Sequence, residues 1–319
     1  MTLQFFAEPK DSAVGGTTVA AGSVLEWIDK AGYACAVGWS ASYCVTAYVG
    51  NVHFTRPIAP GDLVQAHARI VHTGRTSMQV LVVIESASPR TREFSIATHC
   101  ILVFVAVDAD GTARPVEPWR PRSDADRVLQ ASAEQRIVVR REIREAMLTQ
   151  AYTDEGTAPR TTFRFLASPS VANWGGKAHG GTVMRWIDEA AFACAASWSR
   201  ERAVAVYSGG IQFTQPIGIG DLVEVDARLI HTGQRSMHIA VRVRAGSPRA
   251  PRDLALTTTC MTVFVDRGAD GRAAAVAPLQ LDSDEDRRFD DHARELVALR
   301  AQAPVIPLEL IEPRRWSES

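Results

Sequence analysis

The stretch Asn173-Trp-Gly-Gly-Lys-Ala-His-Gly-Gly-Thr-Val-Met-Arg-Trp-Ile-Asp188 gathers an amide, an imidazole, two glycines and a carboxylate. Gly180 and Gly181 stand where a helix opens. The N–H groups of a first helical turn have no partner within the helix, and with the helix dipole behind them they can hold a developing oxyanion. Glycine lets a carbonyl come close. Asn173 can donate a second hydrogen bond to the same oxygen. A nearby carboxylate can act as general base toward water, or attack the carbonyl itself. The plain alternatives are an acid on a polar helix stripe, a turn asparagine and a histidine, His179, that only orients the turn.

The helix in question spans about 181–198. Ala, Trp, Ile, Phe and Cys cover most of its circumference, so it is expected to be buried on most sides. Arg185, Asp188 and Glu189 share one stripe at i, i+3 and i+4. A short apolar strand precedes it at Phe163-Arg-Phe-Leu. After it the pattern turns to period two, in segments 203–207, 210–213, 222–230, 237–244 and 255–265, read as an antiparallel meander. Residues 133–150 read as an amphipathic linker helix and 289–300 as its later equivalent. Ser283-Asp-Glu-Asp reads as a helix start, and the residues from Pro304 onward as an extended tail.

The same order occurs twice. Trp27-Ile-Asp-Lys-Ala-Gly-Tyr-Ala-Cys matches Trp186-Ile-Asp-Glu-Ala-Ala-Phe-Ala-Cys at an offset of 159. His53-Phe-Thr-Arg-Pro-Ile-Ala-Pro-Gly-Asp matches Gln212-Phe-Thr-Gln-Pro-Ile-Gly-Ile-Gly-Asp, and His72-Thr-Gly-Arg-Thr-Ser-Met matches His231-Thr-Gly-Gln-Arg-Ser-Met, both at 159. The offset is 160 at Pro9/Pro169 and again at Cys100/Cys260. A period this long marks a duplicated domain, not a solenoid. The divisions expected are residues 1–118, a helical linker 119–159, residues 160–281, and a helix and tail 282–319. In the first copy the helix stripe is Glu26, Asp29 and Lys30, and the turn before it is altered. Ala20-Ala21-Gly22 replaces His179-Gly180-Gly181, and Val14 or Ala13 stands where Asn173 would be.

The chain has 319 residues, 46% of them apolar and 22% charged, with a net charge of -1, so it is globular with room for two cores. That balance gives no reason to expect nucleic-acid or membrane binding. No run of 18 apolar residues is present, and the N-terminus lacks the pattern of a signal peptide. The five cysteines show no metal-ligand spacing and are expected reduced and mostly buried, in a cytoplasmic protein. His53, His72 and His231 are read as structural, and Trp27, Trp39, Trp186 and Trp198 as core or interface.

An α+β chain of two tandem units, each an antiparallel β-sheet wrapped around one long central helix, resembles the hotdog fold. Asn173, five residues, His179-Gly180-Gly181, six residues, Asp188 resembles the signature of hotdog acyl-CoA thioesterases. The Phe-Thr-x-Pro-Ile-x-x-Gly-Asp and His-Thr-Gly-x-x-Ser segments are also typical of that family, and the likeness covers roughly residues 1–115 and 160–280. The resemblance implies hydrolysis of an acyl-CoA thioester, with coenzyme A entering as part of the substrate and no other cofactor or metal. It implies sites that pair the turn of one hotdog with the helix acid of another. Asn173, His179, Gly180 and Gly181 would then work with Asp29, and Asp188 would be left with the altered turn, giving one competent site. It places Arg75, Thr76, Ser77 and their counterparts Gln234, Arg235 and Ser236 near the coenzyme A tail. It also implies a homo-oligomer, in larger tandem relatives often a trimer. Two other readings are an acyl-CoA hydratase or dehydratase of the same fold, and a non-catalytic acyl-CoA-binding protein.

Overall fold

The computed structural model describes residues 1–200 and 202–313. By contact they divide into two units. One is Met1–Val138 with Gly180–Arg185 and the described residues from Ala303; the other is Val139–His179 with Trp186–Gln302. The division cuts through two helices, so the first turn of the second copy's helix belongs with the first copy.

The first unit holds β1 (Thr2–Phe6), α1 (Ala21–Ser40), β2 (Cys44–Val49), β3 (Val52–His53), β4 (Leu63–Thr73), β5 (Ser77–Ala87) and β6 (Ser95–Ala106). Its sheet runs β1-β4-β5-β6-β2, every neighbouring pair antiparallel. The expected meander therefore holds only for β4-β5-β6. The chain leaves β1, crosses the sheet as α1 and returns on the opposite edge as β2. A strand cannot hairpin with its neighbour in sequence when a 20-residue helix separates them. α1 lies against β4, β5, β6 and β2. Leu25 and Ile28 are wholly buried there, each contributing about 1.5–3 kcal/mol. α1 stops at Ala41, left-handed at φ 49, whose N–H donates to the Val37 carbonyl.

β5 is buried along almost its whole length, because its other face is covered too. Val71, Leu81, Val83 and Ile101 pack with Leu129 and Ala133 of α2 (Asp124–Thr149) and with Ile306 and Ile311 from the C-terminal segment. α2 starts at Asp124, earlier than the expected linker helix at 133, because it covers this sheet face as well as linking the copies. The expected extended tail is also corrected. It dips into the same apolar cluster and forms a short helix that includes Ile311.

The second unit holds β7 (Arg160–Leu166), α3 (Gly180–Trp198), β8 (Ala203–Phe213), β9 (Leu222–Thr232), β10 (Met237–Gly246), β11 (Ala255–Asp266) and α4 (Asp284–Ala301). The short helix of the tail, Leu308–Ile311, is α5. The sheet order is β7-β9-β10-β11-β8. Where the first copy breaks into β2 and β3, β8 is continuous, joining the two segments expected at 203–207 and 210–213. α4 lies against β9. Its start at Ser283 is as expected: the hydroxyl accepts the Asp286 N–H, and the Asp286 carboxylate accepts the Ser283 N–H.

The repeated tryptophans do the same work in each copy. Trp27 packs edge-on against Phe5 and Trp186 against Phe165. The indole N–H of Trp39 donates to the Glu117 carbonyl and that of Trp198 to Ala277. All five cysteines are free thiols, four of them buried and Cys35 partly so. Burial pushes Cys194 up to about 12 and Cys260 up to about 11.

Candidate active site

Asp29 sits in the third turn of α1 with 0% exposure. It is not an acid on a solvated stripe. That role falls to Glu26, paired with Lys30 one turn on at 2.9 Å and with Arg185 at 3.8 Å. A buried carboxylate needs donors, and Asp29 has one on each oxygen. The Thr46 hydroxyl in β2 donates to Oδ1 at 2.7 Å, and the Gly181 backbone N–H donates to Oδ2 at 2.7 Å. These are charge-assisted bonds to a fixed group. They hold the carboxylate in one orientation.

Both glycines are required by the space. A Cβ on Gly181 would lie 2.9 Å from the Glu26 Cα, and backbone cannot move aside. On Gly180 it would lie 2.9 Å from the Thr46 Oγ1 and 3.3 Å from Asp29 Oδ1. The start of α3 is therefore pressed against α1 and β2, at Asp29. The two expected oxyanion donors separate in role. The Gly181 N–H is taken by Asp29, whereas that of Gly180 has no acceptor among the described residues.

Asn173, His179 and Asp188 belong to the second unit. The Asn173 side-chain carbonyl accepts the N–H groups of Gly175 at 2.9 Å and Lys177 at 3.1 Å. The turn reading is thus correct for its oxygen, and its amide NH2 donates to no described residue. His179 is half-buried, and its N–H donates to the Val171 carbonyl. Asp188 is 8% exposed.

The turns of the two copies can be matched by their hydrogen bonds. Asn173 donates to Lys177 and accepts from Gly176; Ala13 donates to Thr18 and accepts from Gly16. His179 donates to Val171 and Ala20 to Asp11. The counterpart of Asn173 is therefore Ala13, not Val14, and the first turn carries its extra residue between Ala13 and Thr18. Ala20, Ala21 and Gly22 stand for His179, Gly180 and Gly181. The first copy's turn offers no side-chain amide and no imidazole.

Thr46, which donates to the candidate acid, is the site residue that sequence reasoning missed. Its signal was present: at the offset of 159, Ala205 stands opposite Thr46 between the shared Val45/Val204 and Tyr48/Tyr207. The first copy has a hydroxyl on Asp29 where the second copy carries a methyl at the same position.

The other expected residues lie on two hairpin turns. Gly74 donates to the Ser77 carbonyl and Gly233 to that of Ser236. Arg75 and Arg235 are exposed, and Thr76, Ser77 and Ser236 are half-buried. The Ser236 hydroxyl also meets His238 Nε2 at 3.3 Å. His231 Nδ1 lies 2.5 Å from Asp290 Oδ1, in keeping with a structural role. Among the described residues no group of three or more His, Cys, Asp or Glu could hold a metal ion, and no helix is long and apolar enough to cross a membrane.

Comparison with known proteins gives two kinds of likeness, a family model and individual relatives. The thioesterase superfamily model matches residues 16–93 and 175–251, one segment in each copy. The first takes in Asp29 and Thr46; the second takes in His179, Gly180, Gly181 and Asp188 and begins two residues after Asn173. The chain is similar to the acyl-CoA thioester hydrolase YciA of Salmonella typhimurium, 31% identical over 119 residues, which cover 36% of this chain and 89% of that one. It is similar to the cytosolic acyl coenzyme A thioester hydrolase of Homo sapiens, 23% identical over 321 residues, 92% of this chain and 82% of that one. The protein VdlD of Helicobacter pylori is 31% identical over 105 residues, 33% of this chain, and the match spans 60% of VdlD's length.

Proposed function

We propose that this chain, which belongs to the thioesterase superfamily, hydrolyses an acyl-CoA thioester to a free carboxylic acid and coenzyme A. The observation that carries the reading is the buried Asp29 carboxylate, fixed by Thr46 and by the N–H of Gly181 at the start of α3. One competent site is proposed, with Asp29 as its acid and the intact second-copy turn as its source of donors. The thioester oxygen accepts the Gly180 N–H and the Asn173 amide, and negative charge gathers there as the carbonyl is attacked. Asp29 takes a proton from water while the hydroxide adds to the carbonyl carbon, or adds directly and is released by water in a second step. In either route the C–S bond breaks, the electron pair leaves on the coenzyme A sulfur, and the acid keeps the oxygen from water. His179 orients the turn. Asp188, whose copy carries Ala205 at the position of Thr46 and whose partner turn is altered, is assigned no proton transfer.

The finer arrangement is proposed likewise: tandem hotdog domains at 1–118 and 160–281, each a sheet around one central helix, with a helical linker at 119–159 and a helix and tail at 282–319. Arg75, Thr76, Ser77, Arg235 and Ser236 contact the phosphates and pantetheine of the substrate, for which guanidinium and hydroxyl groups are suited. The protein works in the cytoplasm as a homo-oligomer, with no cofactor besides the coenzyme A of its substrate.

The test is thiol release from acyl-CoA esters of short, long and aromatic acyl groups. Turnover of at least one ester, without loss of its double bond when an enoyl ester is supplied, is expected. Hydration of the enoyl ester without thiol release, or binding with no reaction, would overturn the reading.

A further inference from the structure

Arg300 lies in the last turn of α4, in the second unit, and is 9% exposed. Its guanidinium is always charged, yet only one of its nitrogens has a partner. Nη1 donates to the Met261 thioether at 3.3 Å, and the carbon of the group stands 4.6 Å from the centroid of the Tyr207 ring. Nε and Nη2 are buried with no hydrogen-bond partner. A sulfur acceptor and an aromatic face offset only part of the cost of taking a cation out of water.

The buried carboxylates of α4, and Glu295, are engaged elsewhere. Asp290 holds His231 and Arg294; Glu285 holds the N–H groups at Thr153 and Gly156 and pairs with Arg228; Asp286 holds Thr157; Glu295 faces His292. Arg300 makes no ion pair with any described residue; its charge acts on His238, His292 and the Cys260 thiol, and the Asp188 carboxylate acts on that same thiol.

The two open positions are not scattered. Nε and Nη2 form one edge of the guanidinium, the edge whose parallel N–H bonds match the two oxygens of a carboxylate or phosphate. Other unsatisfied polar atoms lie on the strands beside it. Gln212 Nε2, Thr259 Oγ1 and His238 Nδ1 are all buried without a partner. Gln212 pairs across the sheet with Thr259, two residues from Met261. Gly210, at φ 63, has no Cβ; one placed there would meet Ile143 Cγ2 at 3.3 Å, Met147 Sδ at 3.4 Å and Arg300 Nη2 at 3.9 Å. Buried polar groups left open together call for a polar guest.

We propose that Arg300 is the anchor of a second binding site, one for a small oxyanion, a carboxylate or a phosphate, held two-pronged by Nε and Nη2 with Gln212 as a further donor. The site uses none of the residues assigned to thioester hydrolysis and does not depend on that assignment.

The experiment is thermal unfolding of the full chain in a buffer free of oxyanions, with acetate, phosphate or chloride added at constant ionic strength. A saturable rise in Tm with acetate, with phosphate or with both, and none with chloride, is expected. Response to acetate alone identifies a carboxylate guest, and response to phosphate alone a phosphate. Arg300→Met is expected to lose the response and to unfold, without anion, no lower than the wild type, since it removes an uncompensated buried charge. Arg300→Lys keeps the charge but not the fork, and is expected to weaken the apparent Kd about tenfold or more. A wild type indifferent to both oxyanions, or an Arg300→Met or Arg300→Lys protein that answers as the wild type does, would overturn the proposal.

Discussion

The carboxylate of Asp29 is set by two donors of different kinds, one on a strand and one at a helix start. That difference makes their contributions separable. Thr46→Val keeps the shape of the side chain and removes the hydroxyl. A hydrogen bond to a charged group contributes about 1.5–3 kcal/mol, so kcat is expected to fall about 10- to 100-fold with KM little changed, while Thr46→Ser keeps most of the activity. Steady-state kinetics on the best ester would check this; equal losses in both variants would mean that the methyl, not the hydroxyl, matters. Gly181→Ala tests the other donor through space. Its Cβ would meet the Glu26 backbone at 2.9 Å, and overpacking of that kind costs about 1–3 kcal/mol. A lower Tm is expected together with lost activity, and unchanged stability would count against the close approach.

At the scale of elements, two strands carry histidines that folding keeps neutral. Burial first, then the charge of Arg136, lowers His99 in β6 to about 4; burial first, then His231 and Arg300, lowers His238 in β10 to about 4. Both folded values lie below the unfolded 6.5. The unfolded chain therefore binds more protons between about 6.5 and 4, and stability is fully present above 6.5 and lost as pH falls toward 4. Chemical denaturation across that window is expected to give falling midpoints, with a shallower fall in His238→Gln. α5 makes a second test. Ile311 is wholly buried against the outer face of β5 and β6, and Ile311→Ala is expected to destabilise the protein by about 2–5 kcal/mol. A change near zero would mean that the tail does not cover that face. The two helices, the period-two strands and the helix start at Ser283 were legible in sequence, because each has a period or a cap of its own. The strand order, the short α5 and the early start of α2 were not. They follow from which faces need covering, and that is decided by partners far away in the chain.

At the scale of the whole chain, the duplication has diverged unequally. The second copy keeps Asn173, His179 and Gly180 where the first has Ala13, Ala20 and Ala21, and the first keeps Thr46 where the second has Ala205. The turn asymmetry was plain from the aligned repeats. The strand asymmetry was hidden, since one threonine among apolar residues draws no attention until its hydroxyl is seen on Asp29. On the proposed reading each copy has kept one half of the machinery. The measurement that tests this most directly is thiol release by Asp29→Asn and Asp188→Asn beside the wild type, on the ester that the wild type turns over best. Asparagine keeps the size of the side chain and an acceptor for Gly181, so both variants should remain folded. Loss of a general base costs about 10²–10⁴-fold, and the account predicts that loss for Asp29→Asn alone, with Asp188→Asn close to the wild type. Full activity in Asp29→Asn, with the loss falling on Asp188→Asn, would contradict it.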